Sequence, residues 1–530
     1  MKKILVGIVV VFMLTTMVSA STTTYKLNKK AVETTGIQMA SDLVTPNIKK
    51  LPLTPQRNPQ RGPNFQSNFV GTDVQISSSA QIEGHPSITI DHDGNPIVVY
   101  DYRTSEGHSE IFLQRSPDGG ETWPSDQKYY VVGDEELSMI NPVIELYDNG
   151  TRGGIIIQQE NQPDPNAYII DLVDIDDPES WILVPFDQSN VTSWIGETSG
   201  AIFGTHTATW SYIGDVIFDE YNETETLNIA WTTDPDDPEA YAALFFFADE
   251  NTYYSHPTSA AGLNLYGAAQ RNTQSGSRIQ IAWAPWEDPV FENWDYATVG
   301  ATSSNTTYPK LAASGEYAYL VVQDDENGNQ DINCYTPGIV MWTKHTVVNS
   351  EEDEMYPSIT AFGEIAICTF VKNGDLYMSR SEDAGVTWGE AVQINDENNE
   401  LIEEYRCADI TGPYIIWMDN RSGNADIYMD TTELPWVVIT EFNGGLGVSG
   451  TVLNVGTEDA SEVPWELFIK GGILGLINKT YNGTTDILQG EIVSIETGFF
   501  FGLGPIKIVL IVDGAARDTE ALQLIVLTLI

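Results

Sequence analysis

Three loops of the sequence combine carboxylates with glycine, and the second and third also contain side-chain amides, whose oxygens together with carboxylates bind hard cations. They are residues 101–110, 324–331 and 419–426. The second loop alternates oxygen-bearing side chains at steps of two, as calcium loops do, and its candidate ligands are Asp325, Asn327, Asn329 and Asp331. The glycine is misplaced for an EF-hand and no distal Glu follows. The pattern therefore predicts either a Ca²⁺ site or an Asx-type turn that caps a hairpin.

Aromatic side chains beside acids indicate a second kind of chemistry. Residues 283–296 place Trp, Phe and Tyr among Glu and Asp. This composition suits sugars, because rings stack on their apolar faces and acids accept from their hydroxyls. Most of the segment also fits a degenerate hairpin turn, which leaves Trp286 as the residue to test. We expect Trp286 to contact a ligand, together with Asp101 and Asp419 at the starts of the first and third acidic loops.

One phrase of eight residues occurs twice, at 116–123 and 381–388, and reads Ser-x-Asp-x-Gly-x-Thr-Trp. Its positions are Ser116, Asp118, Gly120 and Trp123, then Ser381, Asp383, Gly385 and Trp388. Ser and Asp can bond the amides of a turn, Gly accepts a positive φ, and Trp fills the gap to the next layer. The phrase resembles the Asp-box of the sialidase-type (BNR) β-propellers. That resemblance implies a structural blade hairpin, on the face opposite any active site.

The rest of the chain carries a longer repeat. Five short strands open on a residue followed by Pro, at His85, Asn141, His256, Tyr308 and Tyr356; Tyr405 takes this slot without a Pro. The repeats end on aromatic residues 46 to 60 residues apart, namely Trp123, Trp181, Tyr241, Trp294, Trp342, Trp388 and Trp436. This spacing is typical of propeller blades. It predicts an all-β fold with seven blades; six or eight blades are the alternatives.

Both ends of the repeat region show further organisation. Residues 74–77 have no repeat of their own, so we expect them to form the outermost strand of the last blade and remove an edge. Residues 437–530 read as strands, and residues 454–463 are similar to Ig-like modules of the CARDB class. The predicted divisions are a signal peptide (1–20), a linker (21–70), an Asp-box propeller (71–436) and an Ig-like β-sandwich (437–530).

The bulk composition indicates an exported protein. Lys2 and Lys3 precede the apolar stretch 4–17 and the small residues 18–20, as in a secretory signal peptide with no transmembrane span after cleavage. The net charge of −51 excludes nucleic acid as a partner. Sequons occur at Asn149, Asn190, Asn222, Asn305, Asn420, Asn478 and Asn482. The chain has three cysteines, Cys334, Cys368 and Cys407. The odd number leaves at least one of them unpaired and allows at most one disulfide.

The family resemblance also raises the question of catalysis. Sialidases of this type hold the substrate carboxylate with three arginines, and a Tyr–Glu pair and an Asp do the chemistry. The first arginine position holds Gly84 here, and Arg103, Arg278, Arg406 and Arg421 are the candidate replacements. The sequence therefore favours a secreted or cell-surface binding or adhesion module for glycan or protein over an enzyme. The alternatives are an exo-sialidase-type glycoside hydrolase and a structural surface-layer component.

Overall fold

The computed structural model describes residues 71–530, except for 134, 136, 148–149, 161–166, 186–194, 204–206, 220–221, 233–240, 249–250, 287–292, 339–340, 399, 526 and 530. The predicted signal peptide and linker lie outside the described residues. Within them the fold is built from β-strands, with short 3₁₀ turns at Ser125–Gln127, Pro178–Ser180 and Ile473–Gly475. No helix of the described part is long and apolar enough to cross a membrane.

Seven four-stranded antiparallel sheets occupy the described residues up to 431. The first strand of the chain is β1 (Val74–Gln75). Sheet 1 contains β2 (Glu83–Ile90), β3 (Pro96–Arg103), β4 (Ser109–Arg115) and β5 (Lys128–Val132). Sheet 2 contains β6 (Met139–Tyr147), β7 (Arg152–Gln159), β8 (Ala167–Leu172) and β9 (Ile182–Pro185). Sheet 3 contains β10 (Ile195–Phe203), β11 (Thr207–Asp219), β12 (Asn222–Thr232) and β13 (Tyr241–Phe247).

The later sheets repeat the same plan. Sheet 4 contains β14 (Thr252–Ala261), β15 (Asn264–Thr273), β16 (Gly276–Pro285) and β17 (Asp295–Val299). Sheet 5 contains β18 (Thr306–Ser314), β19 (Tyr317–Asp324), β20 (Asp331–Pro337) and β21 (Trp342–Val348). Sheet 6 contains β22 (Met355–Phe362), β23 (Ile365–Lys372), β24 (Asp375–Ser381) and β25 (Val392–Gln393). Sheet 7 contains β26 (Ala408–Thr411), β27 (Tyr414–Asp419), β28 (Asp426–Thr431) and, at its outer edge, β1.

The sheets are arranged in a ring. The first strand of each sheet packs against the first strand of the next, and β26 of sheet 7 packs against β2 of sheet 1. The first strands therefore surround a central axis, and the architecture is that of a β-propeller. Aromatic residues fill the space between neighbouring sheets; Trp181 is 1% exposed and contacts Tyr129 with ring centroids 5.7 Å apart.

The strand from the start of the chain closes the ring. Val74 pairs with Met429 and Gln75 with Tyr428, as predicted from the position of residues 74–77 relative to the repeats. The Ile76 amide extends the ladder by donating to the Ile427 carbonyl at 2.8 Å. This pairing covers the outer edge of sheet 7, so the edge is not left open for intermolecular pairing.

The residues that precede Pro at the start of the first strands, whose position we call the x-Pro slot, share one backbone conformation. The slot residues adopt left-handed φ angles of 45° to 64°, at His85, Asn141, His256, Tyr308, Tyr356 and Arg406. Each of the five x-Pro pairs forms a β-bulge in the first strand of its sheet. In sheet 7 the slot residue is Arg406, one position after the Tyr405 expected from the sequence. In sheet 3, where no slot was recognised, the register shift lies between Ile195 and Thr198 and encloses Gly196 and Glu197.

Residues 437–529 form two further sheets. One has the order β29-β30-β33 and the other β32-β31-β34-β35-β36. Their strands are β29 (Val437–Asn443), β30 (Ser449–Asn454), β31 (Ala460–Gly471), β32 (Ile477–Ile487), β33 (Ile492–Glu496), β34 (Gly502–Val512), β35 (Ala515–Ile525) and β36 (Leu527–Leu529). Apolar residues of both sheets, such as Val452 and Leu510, belong to one core that continues into sheets 6, 7 and 1.

The C-terminal sheets sit on one face of the ring. Asp513, in the turn between β34 and β35, accepts a 2.8 Å hydrogen bond from the Ser314 hydroxyl of sheet 5. Arg380 of sheet 6 donates to Glu458 at 2.8 Å, and a Cβ on Gly94 would lie 2.5 Å from Val455. The two parts of the molecule are therefore closely packed.

Candidate functional site

The two faces of the ring differ. One face, which we call the mouth face, contains the start of every first strand. The loops that join second and third strands lie on the same face. The opposite face carries both copies of the repeated phrase and the C-terminal sheets. The hydrogen bonds of the two copies match: the Thr122 amide donates to Asp118 at 2.8 Å, as does that of Thr387 to Asp383. The Trp388 indole also donates to the Gly385 carbonyl, at 3.0 Å.

Aromatic side chains gather at the centre of the mouth face. The His256 ring centroid lies 4.6 Å from that of Tyr308 and 4.4 Å from that of Tyr405. Tyr308 lies 5.1 Å from Tyr356 and 5.4 Å from Tyr405. These four half-buried rings, which we call the aromatic mouth, come from sheets 4, 5 and 6 and from the segment leading into sheet 7. His256, Tyr308 and Tyr356 occupy the left-handed slot, which turns the chain at the same point in each sheet, and Tyr405 directly precedes the slot residue of sheet 7.

Arg406 crosses the ring beside the aromatic mouth. Its guanidinium donates to the carbonyls of Asn141 (3.2 Å) and Pro142 (2.6 Å), residues that are 265 and 264 positions away. The side chain is only 8% exposed. Arg406 thus links sheet 7 to sheet 2 across sheet 1, and these donors are engaged within the protein.

A polar group borders the rings on the other side. The Nδ1 atom of His85 lies 2.7 Å from Asp101 Oδ2, and the same oxygen accepts from the Asn141 amide at 3.0 Å. Burial lowers the pKa of His85, but the charge and hydrogen bond of Asp101 outweigh it and leave the pKa above its usual value. Glu404 lies 3.8 Å from the other ring nitrogen of His85. The mouth therefore presents imidazole and carboxylate groups next to aromatic rings.

A cavity of about 340 Å³ lies along the axis beneath the mouth, lined by first strands and, at its far end, by residues of the C-terminal sheets. Two acids line it. Asp409 accepts from the Ile88 amide (3.2 Å) and the Ser358 hydroxyl (3.1 Å). Burial, and secondarily the charge of Asp409, raise the pKa of Glu145 to about 8, so Glu145 is largely protonated at neutral pH.

The predicted ligand-binding residues do not share one surface. Asp101 is buried beneath the mouth and engaged by His85 and Asn141. Asp419 is fully buried and accepts from the Arg421 side chain and the Trp417 indole. Trp286 follows β16, on the opposite face, where it packs beside a core that includes Trp294. Asp101 and Asp419 thus support the mouth face from within, and Trp286 lies apart from both.

The residues proposed for calcium are engaged with one another. Asp331 accepts from the side-chain amide of Asn327 at 2.7 Å and from that of Asn329 at 3.4 Å. Asp325 accepts from the backbone and side-chain amides of Asn305, at 2.6 and 2.7 Å. A calcium site would need amide oxygens, not amide nitrogens, directed at a shared point. Among the described residues no group of three or more His, Cys, Asp or Glu could hold a metal. In this arrangement the side chains of the loop bond one another, as they do in a capped turn.

The candidate arginines share no hydrogen-bonding or ionic partner in the described contacts. Arg103 pairs with Glu160, and Arg421 is held between Asp73 and Asp419. Arg278 lies on β16, with its Cγ 3.3 Å from where a Cβ on Gly300 would be. No three of these four side chains are seen to form a carboxylate clamp.

A Tyr–Glu pair does occur, but on the opposite face. The Tyr317 hydroxyl donates to Glu364 at 2.8 Å, beside the turn that contacts Asp513. Burial, together with Glu364, raises the pKa of Tyr317 to about 12. A tyrosine nucleophile requires the reverse shift, because the phenolate is the reactive form.

The cysteines do not form disulfides. Cys334, Cys368 and Cys407 are buried free thiols. Burial raises the pKa of Cys407 to about 12, which makes it unreactive as a nucleophile.

Sequence reasoning missed the aromatic mouth itself. The sequence identifies His85 and His256 only as members of one repeat slot. The slot contained the relevant signal, since equivalent positions in a ring of blades face a common axis. Arg406 was not aligned with the slot, because no Pro marks the position in sheet 7 and the alignment placed Tyr405 there instead.

Comparison with known proteins found similarity to solved structures alone. No protein-family model matches the chain, and no curated protein does. Solved structures with similarity include a Trypanosoma rangeli sialidase in complex with the inhibitor DANA (8% identity, 86% of this chain and 88% of that one, TM-score 0.33). A Hadza microbial sialidase shows 15% identity over 66% of each chain, with a TM-score of 0.36.

A peptidase from Mycobacterium tuberculosis that hydrolyses puromycin is also similar, at 12% identity and a TM-score of 0.41 over 83% of this chain. The chain spans only 61% of the length of that peptidase. It spans 55% of a prolyl endopeptidase and 56% of prolyl oligopeptidase B from Galerina marginata. Similarities this distant transfer no activity.

Proposed function

We propose that this protein is an exported, non-hydrolytic glycan-binding propeller whose ligand contacts the aromatic mouth. In this proposal residues 1–20 direct export and residues 21–70 are a linker. Residues 71–436 form a seven-bladed propeller related to the Asp-box family, and residues 437–530 form an Ig-like sandwich. The seven sheets, the closed cycle of first strands and the matching hydrogen bonds of the repeated phrases support the division.

The observation that carries the proposal is the clustering of four half-buried rings at the centre of the mouth face. Rings offer flat apolar surfaces on which the C–H faces of a sugar can stack. His85, Glu404 and Lys310 lie at the border of these rings and supply donors and acceptors for hydroxyls. A site of aromatic side chains with a few polar groups is the usual composition of a small-ligand site.

The charges of the mouth face favour a neutral glycan over a sialylated one. A groove between sheets 5, 6 and 7 is lined by Glu351, Glu352, Asp353 and Glu403. These acids would repel a sugar carboxylate. The guanidinium of Arg406 donates to two backbone carbonyls, so it is already occupied within the protein.

A glycan array with the chain from residue 21 tests the proposal. We expect binding to neutral glycans, with affinity reduced about tenfold or more in Tyr308→Ala and Tyr405→Ala, since each variant removes a stacking surface. Tyr296→Ala is the matched control, because Tyr296 is 67% exposed on the outermost strand β17, away from the mouth.

Two results would overturn this proposal. One is the absence of any glycan ligand while a protein ligand binds the same rings. The other is glycan binding that Tyr296→Ala weakens as much as the mouth variants do.

A further inference from the structure

The C-terminal sheets end in an apolar tip. Of its exposed side chains, Leu474 is 91% exposed, Leu476 80%, Leu446 72%, Phe501 70% and Phe499 65%. Ile473, Leu503, Leu522 and Leu524 are also exposed beside them. We call these nine residues the apolar tip. Isolated exposed leucines are ordinary, but a contiguous set of this size marks an interaction site.

The loops that carry the apolar tip are in mutual contact. The Val448 amide donates to Thr497 at 3.0 Å, and the Gly472 amide to the Pro505 carbonyl at 2.6 Å. The side chain of Gln523 donates to the Phe500 carbonyl at 3.1 Å. The tip is therefore one surface, assembled from the turns after β29, β31 and β33 and from the β35–β36 hairpin.

Chain direction puts the apolar tip at the pole away from the propeller. Val437 starts β29 directly after the last repeat, and the turn at Asp513 after β34 contacts sheet 5. Strands that run antiparallel place the other set of turns at the far end of the sheets. The tip belongs to that far set, so it can contact a surface while the propeller is held away from it.

The tip also differs in charge from the rest of the molecule. The chain has 76 acidic residues and 25 basic ones. The four tip segments, 444–450, 470–478, 497–508 and 521–530, contain no acid and only the two lysines Lys470 and Lys507. A surface that is apolar and free of negative charge fits a partner that has an apolar interior under a polar surface layer.

We propose that the apolar tip docks on a lipid bilayer, with its leucine and phenylalanine side chains inserted at the interface. Single side chains on protruding turns can enter a fluid bilayer without a complementary groove, and the transfer of each CH₂ group out of water is favourable. A second copy fits less well, since tip-to-tip pairing would bring together two chains of net charge −51. This inference does not depend on glycan binding.

Flotation with phosphatidylcholine vesicles tests the docking. Both the full chain and the chain from Ser21 are used, because the apolar residues 4–17 would bind lipid by themselves. We expect the chain from Ser21 to float with the vesicles. The variant Leu474→Ser/Leu476→Ser/Phe501→Ser should lose at least about tenfold in partitioning.

The matched control changes apolar residues that are exposed on the propeller, Ile82→Ser/Val386→Ser/Val392→Ser, and should float as the parent does. Thermal unfolding confirms that both variants fold. A probe on Leu474→Cys should shift to the blue on vesicles, whereas one on Val386→Cys should not. The native thiols are buried, so labelling is selective.

Three outcomes would overturn the inference: no flotation of the chain from Ser21, flotation that the tip variant retains, or a dimer in sedimentation velocity that the tip variant dissociates without any vesicle binding.

Discussion

Arg406 joins two sheets that are not neighbours in the ring, and its energetic role follows from its burial. Changing it to Gln would leave the carbonyls of Asn141 and Pro142 without their charged donor. We expect Arg406→Gln to lower the free energy of unfolding by about 3 kcal/mol. Arg103→Gln should cost less than about 1 kcal/mol, because Arg103 is 41% exposed and its partner Glu160 is near solvent. Urea denaturation followed by circular dichroism measures both; equal losses would contradict this role of Arg406.

Asp430 makes the closure of the ring sensitive to pH. Its Oδ1 accepts from the Gly71 amide at 2.9 Å, and its buried Oδ2 has no partner among the described residues. Burial raises the pKa of Asp430 from 3.8 to about 7. The folded state then binds more protons than the unfolded state between these values. The stabilising contribution is present below pH 4 and lost as the pH rises through 7.

We therefore expect the free energy of unfolding to fall between pH 5 and pH 7, by at most about 1.4 kcal/mol per pH unit from this group. Asp430→Asn should flatten that slope. Asp383→Asn is the control, because hydrogen bonds from Thr387 lower the pKa of Asp383 and move its titration out of this range. Glu145 contributes with the same sign up to about pH 8. An unchanged slope in Asp430→Asn would refute the assignment.

At the scale of single elements, β1 ties the start of the described chain to the outer edge of sheet 7. Ile76→Pro removes the amide that donates to Ile427 as well as a buried side chain. Ile76→Ala removes the packing alone, which costs about 2–4 kcal/mol. We expect the proline variant to unfold at clearly lower denaturant concentration than the alanine variant. Equal midpoints would mean that the strand pairing contributes nothing.

The elements also show what the sequence could and could not predict. The x-Pro slot and the spaced aromatic residues located six first strands. The slot reflects the β-bulge of the first strand, and the aromatic residues reflect the side chains that fill the space between neighbouring sheets. Sheet 3 lacked the signature, since its slot encloses Gly196 and Glu197. In the C-terminal part, the exposed polar residues of β32 conceal its strand pattern. The repeat slot indicates which positions face the common axis, but residues such as His256 and Tyr405 come into contact only when the ring closes, so the sequence does not record which rings meet.

At the scale of the whole molecule, the C-terminal sheets and the propeller are coupled through Asp513. Ser314→Ala would leave the buried carboxylate of Asp513 without the hydroxyl that donates to it. We expect a loss of about 1–3 kcal/mol and the separation of one calorimetric transition into two. Ser303→Ala, an exposed serine in the loop between β17 and β18, is the control. A single unshifted transition in Ser314→Ala would show that the two parts are not coupled there.

The central claim is that the mouth binds without hydrolysing, and turnover of a fluorogenic sialoside by the chain from residue 21 tests it most directly. We predict a rate equal to that of buffer alone, for the parent and for Arg406→Gln and Tyr317→Phe alike. Turnover by the parent that either substitution abolishes would contradict the account.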